Sequence, residues 1–347
     1  MMLQKRLSTQ LLLKRYYSID YITYSIPNGE FKLSDLYKDE KRQQPKHYNQ
    51  KLRKKIINPD MLNRIFQEDG YESYSKKQIT QSQKFFKNFK VNLDWTLTDY
   101  NEIPSVKYEI LRNEQSAKSQ DSTSSRKTFG IKPELLTNLP EILIIGHTNV
   151  GKSSLVNNLL KPKKTLNKLD QLAYVSARAG YTKTLNCFRL SNKLRIIDSP
   201  GYGKRAIGTQ GDMVINYINE RQQLKKVLFL VDSVEGFRNE DKHIIDHLIE
   251  QGIPFDIVFT KMDEVLKKYF KNDIFKLEYP DDKIKEGNQK VLEYYYDLLE
   301  DSNLNNSVIS PRYLFNNTQL NNFIGEFQGT KSIRCNILES CNLLTTT

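Results

Sequence analysis

The chain of 347 residues contains three cysteines, Cys187, Cys335 and Cys341, too few and too widely spaced for a disulfide framework and in keeping with a reducing compartment. No apolar run approaches the roughly 18 residues needed to cross a bilayer, so no segment reads as a transmembrane helix. Histidine is scarce as well. His243 and His247 have the i, i+4 spacing of paired metal ligands, but no other Cys or His offers an obvious third ligand and no Glu follows the first His. A metal site of that kind is therefore not expected. The fourth scarcity is local: no acidic residue precedes Asp20.

That acid-free start carries Lys5, Arg6, Lys14 and Arg15 among leucines and hydroxyls, the make-up of a mitochondrial presequence. Arg15-Tyr16-Tyr17-Ser18 reads as a matrix-processing site cut before Ser18, so the expected divisions begin with a presequence over 1–17 and place the protein in the mitochondrial matrix. Positive charge continues beyond it. Residues 1–130 hold 24 Lys and Arg against 15 Asp and Glu, whereas residues 131–347 hold 29 against 26. The basic surplus thus belongs to an extension over 18–130, separate from the remaining domain over 131–347. Within the extension, the apolar spacing of Met61-Leu62, Ile65-Phe66 and Phe85-Phe86, Phe89 predicts short amphipathic helices. Residues 115–128, rich in Ser, Lys and Gln, read as a linker. The basic clusters with interleaved Tyr48, Tyr71, Tyr74 and Phe85 could grip an RNA backbone and stack on unpaired bases, or form a solvated face.

The most informative stretch is Gly146-His147-Thr148-Asn149-Val150-Gly151-Lys152-Ser153, a complete G-x-x-x-x-G-K-S loop entered from the apolar run Glu141 to Ile145 and followed by a helical stretch from Ser154. Its glycines let backbone N–H groups curl round a phosphate, Lys152 supplies a point charge, and Ser153 offers a hydroxyl to Mg²⁺. Farther on, Thr260-Lys261-Met262-Asp263 follows the run Phe255 to Phe259. Asp263 can accept two hydrogen bonds from guanine N1–H and its exocyclic amine, a pairing adenine cannot offer, with the Lys261 stem along the base. Between them, Asp198-Ser199-Pro200-Gly201 ends a third apolar run; Asp198 would hold Mg²⁺ through water, and the Gly201 N–H would reach the γ-phosphate. In this order the three tetrads indicate a GTPase.

These motifs, together with Leu139-Pro140-Glu141, Ser154-Leu155, Ser176-x3-Gly180-x-Thr182-x3-Asn186, Tyr202-Gly203 and the stretch Val231 to Asp241, resemble the EngB/YihA family of ribosome-assembly GTPases over roughly residues 131–347. The resemblance implies an α/β fold, a Ras-like P-loop domain with a mostly parallel, doubly wound sheet. It implies GTP or GDP held by Gly146, Asn149, Val150, Gly151, Lys152, Ser153, Ser154, Asp198, Gly201, Thr260, Lys261 and Asp263. Thr182 would be the switch threonine closing on Mg²⁺ beside Ser153 and Asp198; Ala179 and Tyr181 depart from the residues usual next to it. Lys152, Thr182 and Gly201 would then serve the reaction. Asn149 matches the asparagine that holds K⁺ in related potassium-activated enzymes, although a turn-stabilising role is the alternative. Tyr202 stands where Ras-like enzymes place a water-orienting glutamine, so intrinsic hydrolysis should be slow.

Expected elements are strand 141–146, helix 152–160, a hairpin of 186–190 with 193–198, helix 211–222, strand 227–232, helix 239–250, strand 255–260 and a closing helix 330–344. A short strand at Ser307-Val308-Ile309 would precede the last base-contacting loop and make Ser310 its candidate. Of Tyr294, Tyr295 and Tyr296, at most two can face a core on one helix. The function expected is a switch in assembly of the mitochondrial large ribosomal subunit, through that subunit or its rRNA, or in mitochondrial translation. A GTP-gated scaffold or regulator that does not mature ribosomes is the alternative, and a nucleotide-binding module without turnover a third. Oligomeric state is not readable.

Overall fold

The structure is a computed structural model. It describes residues 52–66, 71, 73–117, 128–160, 184–203, 211–271, 280–302, 304, 311–319, 323–324 and 328–345, and the backbone alone of 23–26, 29–32, 118 and 208–210. The presequence, the processing site before Ser18, Tyr48, Thr182, Ser310 and the strand expected at 307–309 lie outside these residues.

In chain order the elements are β1 (Thr23–Ile26), β2 (Gly29–Lys32), α1 (Pro59–Ile65), α2 (Lys76–Asn88), β3 (Val91–Leu97), α3 (Pro104–Lys118), α4 (Pro133–Leu136), β4 (Glu141–Gly146), α5 (Lys152–Leu160), β5 (Leu185–Leu190), β6 (Leu194–Asp198), α6 (Gly208–Glu220), β7 (Leu224–Asp232), α7 (Asn239–Glu250), β8 (Phe255–Thr260), α8 (Met262–Tyr269), α9 (Asp281–Ser302), β9 (Tyr313–Phe315) and α10 (Thr330–Ser340). β4, α5, α7 and β8 have the expected bounds. The linker reading is corrected at its start, because Gln115–Lys118 finish α3; Ser, Lys and Gln are acceptable on a helix's last turn.

The chain divides into two compact units. One consists of Lys84–Leu230, His243–Asp256 and Ile337–Thr347. Its strands run β3-β5-β6-β4-β7. β4 is parallel to β6 and β7, while β5 is antiparallel to β6 and to β3. Every residue of β4 is buried, as a continuous apolar run in a central parallel strand requires. β3 is a contribution from the stretch expected as a separate extension, and ion pairs fasten it. Asp94 accepts from Arg189 at 2.8 Å and from Arg195 at 3.0 Å. Arg195 also donates to the Thr137 carbonyl at 2.8 Å. Nearby, the Glu141 carboxylate takes two bonds of 2.7 Å from Arg221, whose third nitrogen reaches Ser105 Oγ at 2.7 Å. Glu141 and Arg195 are 0% and 2% exposed, so each depends on its partners for solvation.

The other unit consists of Met1–Gln83, Val231–Lys242 and Ile257–Asn336. Here β8 pairs in parallel with β9, in register Ile257 to Tyr313 through Phe259 to Phe315. Phe66, Phe259, Tyr295 and Phe315 meet ring to ring in its core. Helix α1 closes β9 in an unusual way. The Asn63 carboxamide donates to the Phe315 carbonyl at 2.9 Å and accepts from the Phe315 N–H at 2.7 Å, supplying through a side chain the pair of bonds a further strand would make. Lys55 binds Asp281 at 2.9 Å, and the Ile57 N–H donates to Asn288 at 2.8 Å, so residues before α1 are tied to α9.

Candidate nucleotide site

In the unit built on β4, the strand delivers the chain to Gly146, and the loop then turns through two left-handed residues, Asn149 at φ 64° and Gly151 at φ 105°. Gly151 is at a φ where a side chain is strained, and asparagine is among the few other residues that tolerate the region. α5 starts directly afterwards, with Leu155 N–H donating to the Gly151 carbonyl at 2.9 Å. Lys152, 6% exposed, folds back over the loop and donates to the carbonyls of Gly146 at 2.8 Å and His147 at 2.9 Å. Val150 is buried, while Ser153 and Ser154 are half-buried on the first turn of α5.

Asp198, at the end of β6, is fully buried; its Oδ2 accepts from Ser153 Oγ at 3.0 Å and its Oδ1 has no partner among the described residues. Burial pushes its carboxyl up to about 6, against the pull of Lys152 and the Ser153 hydroxyl. Burial likewise lowers Lys152 to about 8, against the field of Asp198. An orphaned buried carboxylate oxygen beside a serine hydroxyl is a fitting donor set for a hard cation such as Mg²⁺. Gly201 comes so close that a Cβ there would sit 2.8 Å from Thr148 Cα and 2.9 Å from Lys152 Nζ. Only glycine brings this backbone against the loop. Next to it, the Tyr202 carbonyl accepts from the Thr148 N–H at 3.0 Å, and its ring meets His147 edge-on at 5.9 Å and Phe229 at 6.2 Å.

The base-reading tetrad lies in the other unit. Thr260 ends β8, and its hydroxyl donates to the Val231 carbonyl at 3.3 Å. Lys261 adopts a left-handed φ of 56° before α8, with its ammonium 2.6 Å from Asp232. Asp263, 4% exposed, stands in the first turn of α8, where helix N–H groups favour a carboxylate. Its own N–H approaches Asn317 Oδ1 at 3.5 Å.

Three groups here were missed by sequence reasoning. Asp232 was visible within the V-D-S stretch but had no assigned task. The anchoring of that stretch was hidden in the tyrosine run: Tyr294 donates to the Ser233 carbonyl, and Tyr295 to Ser233 Oγ at 3.0 Å. Tyr295 is buried, and Tyr294 and Tyr296 are half-buried, so no tyrosine of the three stands free for stacking. The third is the loop after β9. The strand beside β8 is Tyr313–Phe315, so the following loop opens at Asn316-Asn317. Ser310 and the strand expected at 307–309 lie outside the described residues. Among the described residues no group of three or more His, Cys, Asp or Glu is placed to hold a metal, which includes the His243 and His247 pair.

A strand leading into a G-x-x-x-x-G-K-S turn at a helix start, with a buried aspartate against its serine, defines the class: a P-loop nucleotide-binding protein. Residues 141–261 match the family described as 50S ribosome-binding GTPase. The chain is 37% identical over 220 residues to MIOREX complex component 8 of Saccharomyces cerevisiae, covering 63% of this chain and 67% of that protein. It is 39% identical over 132 residues to the probable GTP-binding protein EngB of Rickettsia bellii, covering 37% of this chain and 59% of the relative. Among solved structures, a probable GTP-binding protein engB aligns at 19% identity, over 58% of this chain and 98% of the other, with a TM-score of 0.35. The chain belongs to the EngB family of P-loop GTPases.

Proposed function

We propose that this protein is a GTP-hydrolysing switch that acts on the large ribosomal subunit of mitochondria, in its assembly or in translation. The observation that carries the nucleotide reading is the buried pair Ser153 and Asp198 with its unpartnered Oδ1, set beside the buried Lys152. In this reading Ser153, Asp198 and Thr182 hold Mg²⁺, which when bound offsets negative charge on the phosphates. Lys152 leaves its loop carbonyls for the β and γ phosphates, and Gly146 to Ser154 surround them. The Gly201 N–H meets the γ-phosphate. Asp263 reads guanine, Lys261 covers the base while Asp232 fixes its head, and the Asn316-Asn317 loop takes the place first assigned to Ser310. Water attacks the γ-phosphorus in line, and GDP leaves.

Tyr202 has no amide with which to orient that water, and its ring is engaged with His147 and Phe229, so basal turnover is slow. A potassium ion at Asn149 would supply charge beside the β–γ bridge, although the left-handed φ of 64° is already a backbone reason for asparagine there. The ribosomal part is supported by the family description and by the basic surplus before residue 131. The mitochondrial part is supported by the acid-free basic start, and protein isolated from mitochondria should begin at Ser18.

Nucleotide titration and multiple-turnover phosphate release test the reading. GTP should bind with Mg²⁺ at least a hundredfold more tightly than ATP, Lys152→Ala should lose tight binding, and Asp263→Asn should shift preference toward xanthine nucleotides. Phosphate release should be faster in KCl than in NaCl at equal ionic strength. Equal rates would remove potassium, and binding without turnover would reduce the protein to a nucleotide-binding module.

A further inference from the structure

Helix α2 carries a one-sided lysine face. At about 100° per residue, Lys76, Thr80, Lys84 and Lys87 fall within about 80° of one another, and Lys77 and Asn88 widen the arc to about 120°. All six are exposed. On the opposite side Ser82 and Phe86 are buried, and at the edge of the arc Gln83, about 20° from Lys76, accepts from Arg334 at 3.2 Å, so the helix is docked and its outward face fixed.

Among the described residues no carboxylate forms an ion pair with this face. No Asp or Glu occurs from residue 73 to 93, so no carboxylate is available at helical spacing. Some exposed lysines on other helices do have one: Lys267 pairs with Glu264 at 2.6 Å, Lys285 with Asp282 at 3.4 Å and Lys290 with Glu286 at 2.6 Å. Lys76 and Lys87 are eleven residues apart, about 16 Å along the axis, a span that covers several backbone phosphates.

We propose that the Lys76, Lys77, Lys84 and Lys87 face of α2 is a docking surface for the phosphate backbone of RNA. The proposal rests on the ribosomal reading above and names the surface that would make the contact. Two observations fix its character. The neighbouring aromatic rings are already engaged: Tyr71 and Tyr74 each lie 4.6 Å from the Arg312 guanidinium, and Phe85 is stacked with Phe89. They are not offered to bases, so the contact is to phosphate and carries little sequence preference, in place of the base stacking expected from the sequence. The exposed arc also lacks apolar residues, whereas a helix lying on a membrane presents Trp, Phe or Leu on its buried side. The partner is RNA and not a lipid surface.

The test compares full-length protein with the variant K76Q/K77Q/K84Q/K87Q and the charge-keeping variant K76R/K77R/K84R/K87R. Each is titrated against purified large-subunit rRNA across a KCl series, against anionic vesicles, and against GTP. Loss of the four charges should weaken RNA binding at least tenfold near 0.1 M KCl and reduce the slope of log K against log salt by about 3 to 4, since each phosphate contact contributes about 0.7 to 0.9. The arginine variant should retain binding, and GTP affinity and melting temperature should not change in either. If the wild type binds rRNA and the glutamine variant matches it in affinity and slope, the surface is refuted while the ribosomal reading stands. If the wild type binds neither rRNA nor large subunits, the ribosomal reading fails and this proposal with it. Lysine-dependent binding to vesicles but not to RNA overturns the proposal in favour of a membrane.

Discussion

Ser233 illustrates how single residues govern the base-reading half of the site. Two consecutive tyrosines of α9 donate to it, one to its carbonyl and one to its hydroxyl, and the next residue back, Asp232, holds the Lys261 ammonium at 2.6 Å. A helix far along the chain therefore steadies the side chain expected to lie over the guanine. Tyr295→Phe removes a buried hydroxyl bond and leaves Ser233 Oγ without that donor. Stability should fall by about 1 kcal/mol, and GTP affinity by a few-fold at most, because Lys261 keeps its own ion pair. Thermal unfolding and nucleotide titration of the variant check this; unaltered melting would mean that the Ser233 bond does not hold the loop. The tetrads themselves were legible because phosphate and guanine demand particular residue types at fixed spacing. Asp232, Ser233 and the tyrosines were not, since their association links residues about sixty positions apart and follows no local pattern.

Elements were legible where one unbroken period set them. β4 and β8 are wholly buried runs, and α7 and α5 follow directly from loop motifs. β7 begins at Leu224, earlier than expected, because Lys225 and Lys226 interrupt the apolar run; in the structure Lys226 is satisfied by Asp256 at 2.7 Å. β3 was overlooked although Val91, Leu93, Trp95 and Leu97 alternate, since charged neighbours masked a strand whose pairing partner lies near residue 188. β9 was not legible for a related reason: three residues do not identify a strand until β8 on one side and Asn63 on the other supply its bonds. Asn63→Ala should leave the buried Phe315 N–H and carbonyl without their α1 partner and cost about 2 to 4 kcal/mol. Denaturant unfolding measures it, and a loss below about 0.5 kcal/mol would show that Asn63 does not seal this edge.

At the scale of the whole molecule, the stretch before residue 131 contributes to each of the two units. It gives β3, Asp94 and Ser105 to the unit that carries the phosphate loop, and Asn63, Lys55 and the Tyr71 and Tyr74 rings to the unit that carries the guanine tetrad. A chain trimmed of residues 18–128 loses β3 and Asp94, leaving the buried Arg195 only the more distant Glu141 carboxylate at 3.6 Å, and removing one partner from a buried ion pair costs up to about 3 to 5 kcal/mol. The trimmed protein should therefore fail to fold or to bind GTP, whereas a chain starting at Ser18 should retain both. Circular dichroism and GTP titration of the two forms distinguish this from the separable arm that composition suggested. The central claim is a GTP-controlled action on the large ribosomal subunit, and cosedimentation of the full-length protein with purified mitochondrial large subunits or their precursors tests it most directly. With a non-hydrolysable GTP analogue and Mg²⁺ the protein should bind at least tenfold more tightly than with GDP, and Lys152→Ala should abolish the difference. Equal binding with either nucleotide, or none with both, would contradict it.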